Sequence, residues 1–157
     1  MRRAAGIVGM TVTPEIRCAL DDLVASYALA VDQRDFAGVA QLFTADGELH
    51  LPDPPDRLDP FLVRHGRDEI TTAMDRLAAT ARTLHILGGQ VYRPGPDPDT
   101  VTGVTAGTAN HLITSGDRPV NLAWYLRYHD TYRRSEGIWR FSRRAVHVSW
   151  IEKHPAR

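Results

Sequence analysis

Between Thr13 and Phe43 apolar residues recur with the period of a helix. Ile16, Leu20, Leu23, Val24, Tyr27 and Val31 fall on one stripe, the pattern of an amphipathic helix with a single buried face. Thr13 is a good N-cap, Pro14 suits the first helical position, and Glu15 favours the positive end of the helix dipole. This helix is predicted to end near Gln33-Arg34. Asp35 then caps a short second helix whose apolar side is Phe36, Val39, Leu42 and Phe43. Asp46-Gly47 is a turn signal, and Glu48-Leu49-His50-Leu51 alternates like a short strand. From Pro52 to Pro60 the prolines are so dense that the stretch reads as a loop without regular structure. Gly66 to Glu69 opens a third helix, acidic in its first turn, with Ile70, Ala73, Met74, Leu77 and Ala81 as its buried face.

At Thr83 the period changes from helical to two. Thr83–Leu87 is predicted as a strand, followed by Gly88-Gly89, an extended Gln90–Arg93 and a turn over Pro94–Asp99. Strands are then predicted over Thr100–Thr114, Val120–Arg133 and Ile138–Ile151, joined by the short turns Ser115-Gly116-Asp117 and Ser135-Glu136-Gly137. Helices followed by a run of strands imply an α+β fold rather than α/β. A strongly curved, mostly antiparallel sheet with the N-terminal helices packed on its concave face would enclose a conical hollow, the kind of place where small ligands bind. The domain is expected to run over residues 13–152, with residues 1–12 as a frayed N-terminus and 153–157 as a tail.

Composition narrows the function. The chain has 157 residues, enough for one domain with a real core. Lysine plus arginine equals aspartate plus glutamate, so the formal net charge is zero and nothing argues for nucleic acid or an anionic membrane. Cys18 is alone, which leaves no intramolecular disulfide and no cysteine-based zinc site. Met1–Met10 is too short and glycine-broken for a signal peptide, Met10 itself is an alternative start, and no stretch has the apolar length of a membrane span. A cytoplasmic protein is the expectation. Metal-ligand motifs such as H-E-x-x-H are missing, as are G-x-S-x-G and phosphate-binding loops. Neither a metal nor a cofactor is expected.

The candidate chemistry lies in histidines and one carboxylate. His85 and His111 each sit inside a strand among apolar or small neighbours, and His111 shares a strand face with Val101, Ala109 and Ile113. A core histidine that is merely hydrogen-bonded would read the same way. The pair of them together with Asp32, however, suggests a site, because an imidazole in an apolar pocket must be hydrogen-bonded to something. A carboxylate that takes the Nδ1 proton fixes the tautomer and leaves Nε2 as a base. Such an Asp–His pair can take a proton from the carbon next to a carbonyl, and Tyr27 is a candidate donor to the enolate oxygen. Tyr125, Tyr128 and Tyr132 beside Arg127, Arg133 and Arg134 read as a half-exposed sheet face or a dimer interface.

These residues carry a resemblance. The segment from Thr13 to about Trp150 resembles the SnoaL-like, NTF2-like superfamily of α+β cone proteins, through the Tyr27–Asp32 helix, the L-F-x-x-D-G of Leu42 to Gly47, the Gly66–Ile70 helix opening, and Gly137-x-Trp139-Arg140-Phe141 followed by Arg143-Arg144. Within it the chain is most similar to the scytalone dehydratase and bile-acid 7α-dehydratase branch. The resemblance places Asp32 where scytalone dehydratases have a histidine-orienting aspartate, His85 at their first catalytic histidine, within Arg82-Thr83-x-His85-x-x-Gly88-Gly89, and His111 at their second. Bile-acid dehydratases have a tyrosine and aspartate spaced like Tyr27 and Asp32, and a late arginine that makes Arg144, ahead of Arg143, a candidate contact for an anion or carbonyl.

The departures are informative too. Two substrate-polarising tyrosines of scytalone dehydratase correspond to Val31 and Leu51, so the same substrate is not expected; Tyr27, or His50 beside Leu51, is a candidate replacement. Ketosteroid isomerases of the superfamily have a general-base aspartate whose nearest counterpart is Asp53. The resemblance implies a dehydratase (lyase) for a small hydrophobic substrate that is polycyclic, steroid-like or polyketide-like. The alternatives it implies are an isomerase using the same pocket, or a non-catalytic protein like the β subunits of ring-hydroxylating dioxygenases. It also implies a homo-oligomer, dimer or trimer, associating through the sheet.

Overall fold

A computed structural model of the chain describes residues 11–157. Met1–Met10, and with them most of the expected frayed terminus, lie outside the described residues. The first helix, α1, spans Pro14–Asp32; Thr13 caps it by accepting the Ile16 N–H at 3.3 Å. Its stripe is buried as the period predicts, with Leu20, Val24, Tyr27 and Val31 all at or below 4% exposure. Arg34 follows with a positive φ of 60°, and this left-handed residue turns the chain into α2, Phe36–Gln41, capped by Asp35. The Arg34 guanidinium donates to the carbonyls of Leu77 and Thr80, tying the end of α1 to the segment after the third helix. The last turn of α1, which carries Asp32, is thereby held in place.

Among the described residues six strands form one open sheet: β1 Phe43–Asp53, β2 Arg57–His65, β3 Arg82–Pro94, β4 Thr100–Ser115, β5 Arg118–Ser135 and β6 Ile138–Pro155. Their order is β2-β1-β6-β5-β4-β3, antiparallel except for the β1–β6 pair. Between β2 and β3 lie α3, Gly66–Met74, and a 3-10 turn over Asp75–Ala79. Register shifts within β3, between Tyr125 and Leu126, and between Thr131 and Tyr132 mark bulges that bend the long strands. The helices pack on the concave side, where the core gathers around Tyr27, Phe43, Tyr128, Tyr132 and Phe141. Gly103 is needed there: a Cβ on it would come within 2.8 Å of the Tyr92 ring and 3.0 Å of Tyr132. On the opposite, outer face Leu84, Ile86 and Trp150 are more than half exposed. Among the described residues no helix is long and apolar enough to cross a membrane.

Four expectations need correcting. Asp46-Gly47 is not a turn between elements but lies inside β1, where the pairing with β6 is irregular. The proline-rich Pro52–Pro60 stretch is not a loop throughout: β1 runs to Asp53, β2 starts at Arg57, and only the turn around the cis Pro54-Pro55 bond separates them. The strand is compatible with Pro60 because β2 lies at the edge of the sheet, where a missing N–H interrupts no second ladder. The third helix stops at Met74 and tightens to 3-10 geometry, short of Ala81. The expected tail belongs to the sheet as far as Pro155, with His154 opposite Asn121 and Pro155 opposite Val120.

Candidate active site

Thr83 and His85 are two residues apart on β3, so both side chains point from the same face of an edge strand toward the end of α1. Asp32 collects three donors there. Its Oδ1 accepts the Thr83 hydroxyl at 3.0 Å and His85 Nδ1 at 2.7 Å, and its Oδ2 accepts the His85 backbone N–H at 2.8 Å. The backbone N–H is available because, among the described residues, the outer edge of β3 has no neighbouring strand. Burial works against the carboxylate's charge, but the hydrogen bonds from His85 and Thr83 outweigh it and hold Asp32 below its ordinary pKa. An ionised carboxylate only accepts, so the shared proton sits on His85 Nδ1, and in the neutral ring Nε2 is left with a free lone pair. The side chains of His85 and Asp32 are 8% and 16% exposed.

His85 stands in the wall of a cavity of about 230 Å³ between α1, the helix α3 with its 3-10 turn, and the concave face of the sheet. The hollow is mostly apolar, with Val31, Leu51, Met74, Leu77, Trp124 and Leu126 in its wall. His111 enters from β4, its ring 6.4 Å from that of His85 and 4.5 Å from that of Trp124. His111 Nδ1 donates to the Leu122 carbonyl across the β4–β5 ladder at 3.2 Å, which again leaves Nε2 unprotonated in the neutral ring. Two phenols, Tyr27 and Tyr128, line the same cavity.

Burial holds the His111 imidazole below its ordinary value of 6.5; the Leu122 carbonyl works the other way, and His85 adds to the lowering. The sign of the effect on stability follows. Below about 6.5 the unfolded chain takes up a proton that the folded imidazole refuses, so stability falls with pH until the lowered folded value is passed. Melting temperature measured against pH should therefore show an acid decline that flattens in His111→Phe; an unchanged decline would mean that His111 does not titrate as buried.

Over residues 13–145 the sequence matches the SnoaL-like domain. The chain belongs to that family. No curated protein matches the sequence. Solved structures with the same fold include a protein from Novosphingobium aromaticivorans assigned as a scytalone dehydratase, 21% identical over 91% of this chain and 89% of that one, with a TM-score of 0.73. A hexachlorocyclohexane dehydrochlorinase, LinA-type3 of Novosphingobium barchaimii, is 18% identical over 89% of each chain, with a TM-score of 0.71. A protein assigned as an aromatic ring hydroxylase, also from Novosphingobium aromaticivorans, is 22% identical over 93% of this chain and 96% of that one, at 0.76. At these identities the likeness is one of fold. Three helices on a curved, open, mostly antiparallel sheet are what a SnoaL-like domain of the NTF2-like type is expected to have.

The residues singled out from the sequence divide into two groups in this SnoaL-like chain. Asp32 and His85 touch, and His85, His111, Tyr27, Val31, Leu51 and Asp53 all line the one cavity. Arg144 and His50 do not line it. Arg144 is fully buried behind the Tyr27 and Tyr128 rings, and its guanidinium is paired with Asp130 through Nε at 2.9 Å and Nη2 at 2.8 Å. It is engaged in the core rather than available to a ligand. His50 alternates with the inward Leu49 and Leu51, so strand geometry turns it to the other face, where Nε2 meets Glu48 at 2.8 Å. Thr83, Trp124 and Tyr128 were not singled out as site residues. The period-two spacing of Trp124, Leu126 and Tyr128 was the available signal, masked by the arginines and tyrosines interleaved with them.

Proposed function

We propose that the protein is a cofactor-independent lyase that dehydrates a small hydrophobic hydroxy-ketone of polycyclic, steroid-like or polyketide-like shape. The observation that carries this reading is the Asp32–His85 contact at the wall of an apolar cavity, with His85 Nε2 left as the free base. Nε2 takes the proton from the carbon next to the carbonyl, and the C–H electron pair becomes the enolate double bond. Asp32 stabilises the imidazolium that forms, as a hydrogen-bonded carboxylate at Nδ1 does. The enolate then collapses, the β C–O bond breaks, and the departing hydroxide takes the proton held on His85 Nε2 and leaves as water, which restores the base. His111, across the cavity with an unprotonated Nε2, is placed to accept a hydrogen bond from the substrate hydroxyl and orient it. Tyr27, protonated because burial raises its pKa, donates to the enolate oxygen.

The dehydrochlorinase among the neighbours is named for an elimination as well, which agrees with this class of reaction. An isomerase would share the first step and differ only in where the proton returns. A non-catalytic subunit would leave the three hydrogen bonds gathered on Asp32 without a task. Incubation with a panel of polycyclic β-hydroxy ketones should raise the ultraviolet absorbance of conjugated enones. Analogues without the hydroxyl should exchange their α-hydrogens with heavy water. If no ketone exchanges faster than in buffer, the reading is lost.

A further inference from the structure

Tyr128 stands in the cavity wall on β5, on the same strand face as Trp124 and Leu126 and opposite Thr105 and Val146 in the ladders. Its residue is 3% exposed. A buried hydroxyl normally has a hydrogen-bond partner, but among the described residues no hydrogen bond engages this one. Nor is the oxygen among the sealed buried atoms that lack a partner, which are Thr44 Oγ1, Thr105 Oγ1 and Arg144 Nη1. An oxygen that is neither partnered nor sealed, on a side chain that lines a cavity, opens into that cavity.

The ring is firmly held. It meets the Tyr27 ring edge-on at 6.0 Å, and the Arg144 guanidinium carbon lies 4.2 Å from the centre of each. Arg144 is in turn fixed by Asp130, so both rings rest on a guanidinium that a buried ion pair holds in place. The hydroxyl is therefore a preorganised donor in an apolar hollow, the arrangement in which a hydrogen bond to a developing negative charge is worth most.

We propose that Tyr128 is a further catalytic residue, whose hydroxyl donates a hydrogen bond to the oxygen that becomes negative when His85 removes the α-proton. This rests on the lyase reading for its reaction, but not for its geometry. Burial and the neighbouring Tyr27 push the Tyr128 pKa up, so the phenol keeps the proton it needs as a donor. Asp32 adds to the same effect, which puts its charge within electrostatic reach of the hydroxyl. The ligand class follows: a planar or polycyclic molecule with a ketone or enolisable carbonyl, carried with its oxygen toward the Tyr27–Tyr128 end and its acidic C–H toward His85.

4-Nitrophenolate, used well above its pKa, serves as the enolate probe, and nitrobenzene as its uncharged counterpart. The wild-type protein should bind the phenolate more tightly. Tyr128→Phe should weaken the phenolate about tenfold, equivalent to about 1.4 kcal/mol, and leave nitrobenzene unchanged. Equal losses on both probes would show a packing role, and no loss on the phenolate would show that the hydroxyl does not reach the oxyanion; either overturns the proposal. Should Tyr128→Phe fail to fold, a series of substituted phenolates on the wild type replaces it. Affinity should then rise with phenolate basicity, and a flat series is equally fatal. Asp32→Asn separates the two readings, because it should lose α-hydrogen exchange yet keep the preference for phenolate. Exchange absent in the wild type with that preference intact would sink the lyase reading, and with it the catalytic role, and leave Tyr128 as the oxyanion donor of a binding site.

Discussion

Asp32→Asn is expected to lower kcat for α-proton abstraction by roughly 10²–10⁴-fold, the range that a well-placed acid–base group contributes. The carboxylate presents acceptors to all three of its partners: the Thr83 hydroxyl, the His85 N–H and His85 Nδ1. An asparagine has an acceptor on one side and an NH₂ on the other, so at least one donor of the protein faces a donor of the amide. The imidazole can relieve that conflict only by moving its proton to Nε2, and the nitrogen facing the cavity then carries a hydrogen where a lone pair was required. Binding involves the apolar wall rather than Asp32, so KM should change far less than kcat. His85→Gln should cause a loss of similar size, and the double variant should be hardly worse than either single one, because the two residues act as a unit. If Asp32→Asn retained its kcat on a substrate that the wild type turns over, the Asp–His mechanism would be untenable.

Much of this site was legible from spacing. The stripe of α1 places Tyr27 and Val31 in the core, and the two-residue period of β3 sets His85 on the face of Thr83. Asp32 falls to the side of the stripe, and it reaches His85 because α1 ends there and Arg34 anchors the next turn to Leu77 and Thr80. Local pattern failed where a long-range partner decides. The prolines of Pro52–Pro60 argued against a strand, but whether a proline is tolerated depends on whether the strand lies at an edge, which only the sheet order reveals. Arg143 and Arg144 are adjacent and chemically alike; Arg144 is the buried one because it pairs across the β5–β6 ladder with Asp130, whereas Arg143 lies opposite Thr131. Tyr128 was obscured for the same reason. Tyr125 and Tyr128 look alike in sequence, and the three-residue interval between them puts one on the outer face and the other in the cavity.

The buried ion pair behind the cavity should dominate stability in a particular way. Arg144 and Asp130 both have side chains with no exposure, joined by two hydrogen bonds, and the Tyr132 hydroxyl donates to the same carboxylate at 2.9 Å. Burial by itself would push Arg144 toward its neutral form, but Asp130 more than reverses this and raises its pKa, so the guanidinium stays charged. Removing one partner leaves the other charge buried and unpaired. Asp130→Leu and Arg144→Met are each expected to cost roughly 3–5 kcal/mol, a large part of the roughly 5–15 kcal/mol that holds a domain together. The double variant Asp130→Leu, Arg144→Met leaves no orphaned charge, and its loss should be much smaller than the sum of the two single losses. It should not be free, since Tyr132 loses its acceptor and Tyr27, Tyr128 and Phe141 lose the cation that lies 4.1–4.2 Å from their ring centres. Urea unfolding of the four proteins closes the cycle. Additive losses would mean that the two side chains do not depend on each other, and that the rings lining the cavity are held by hydrophobic packing alone.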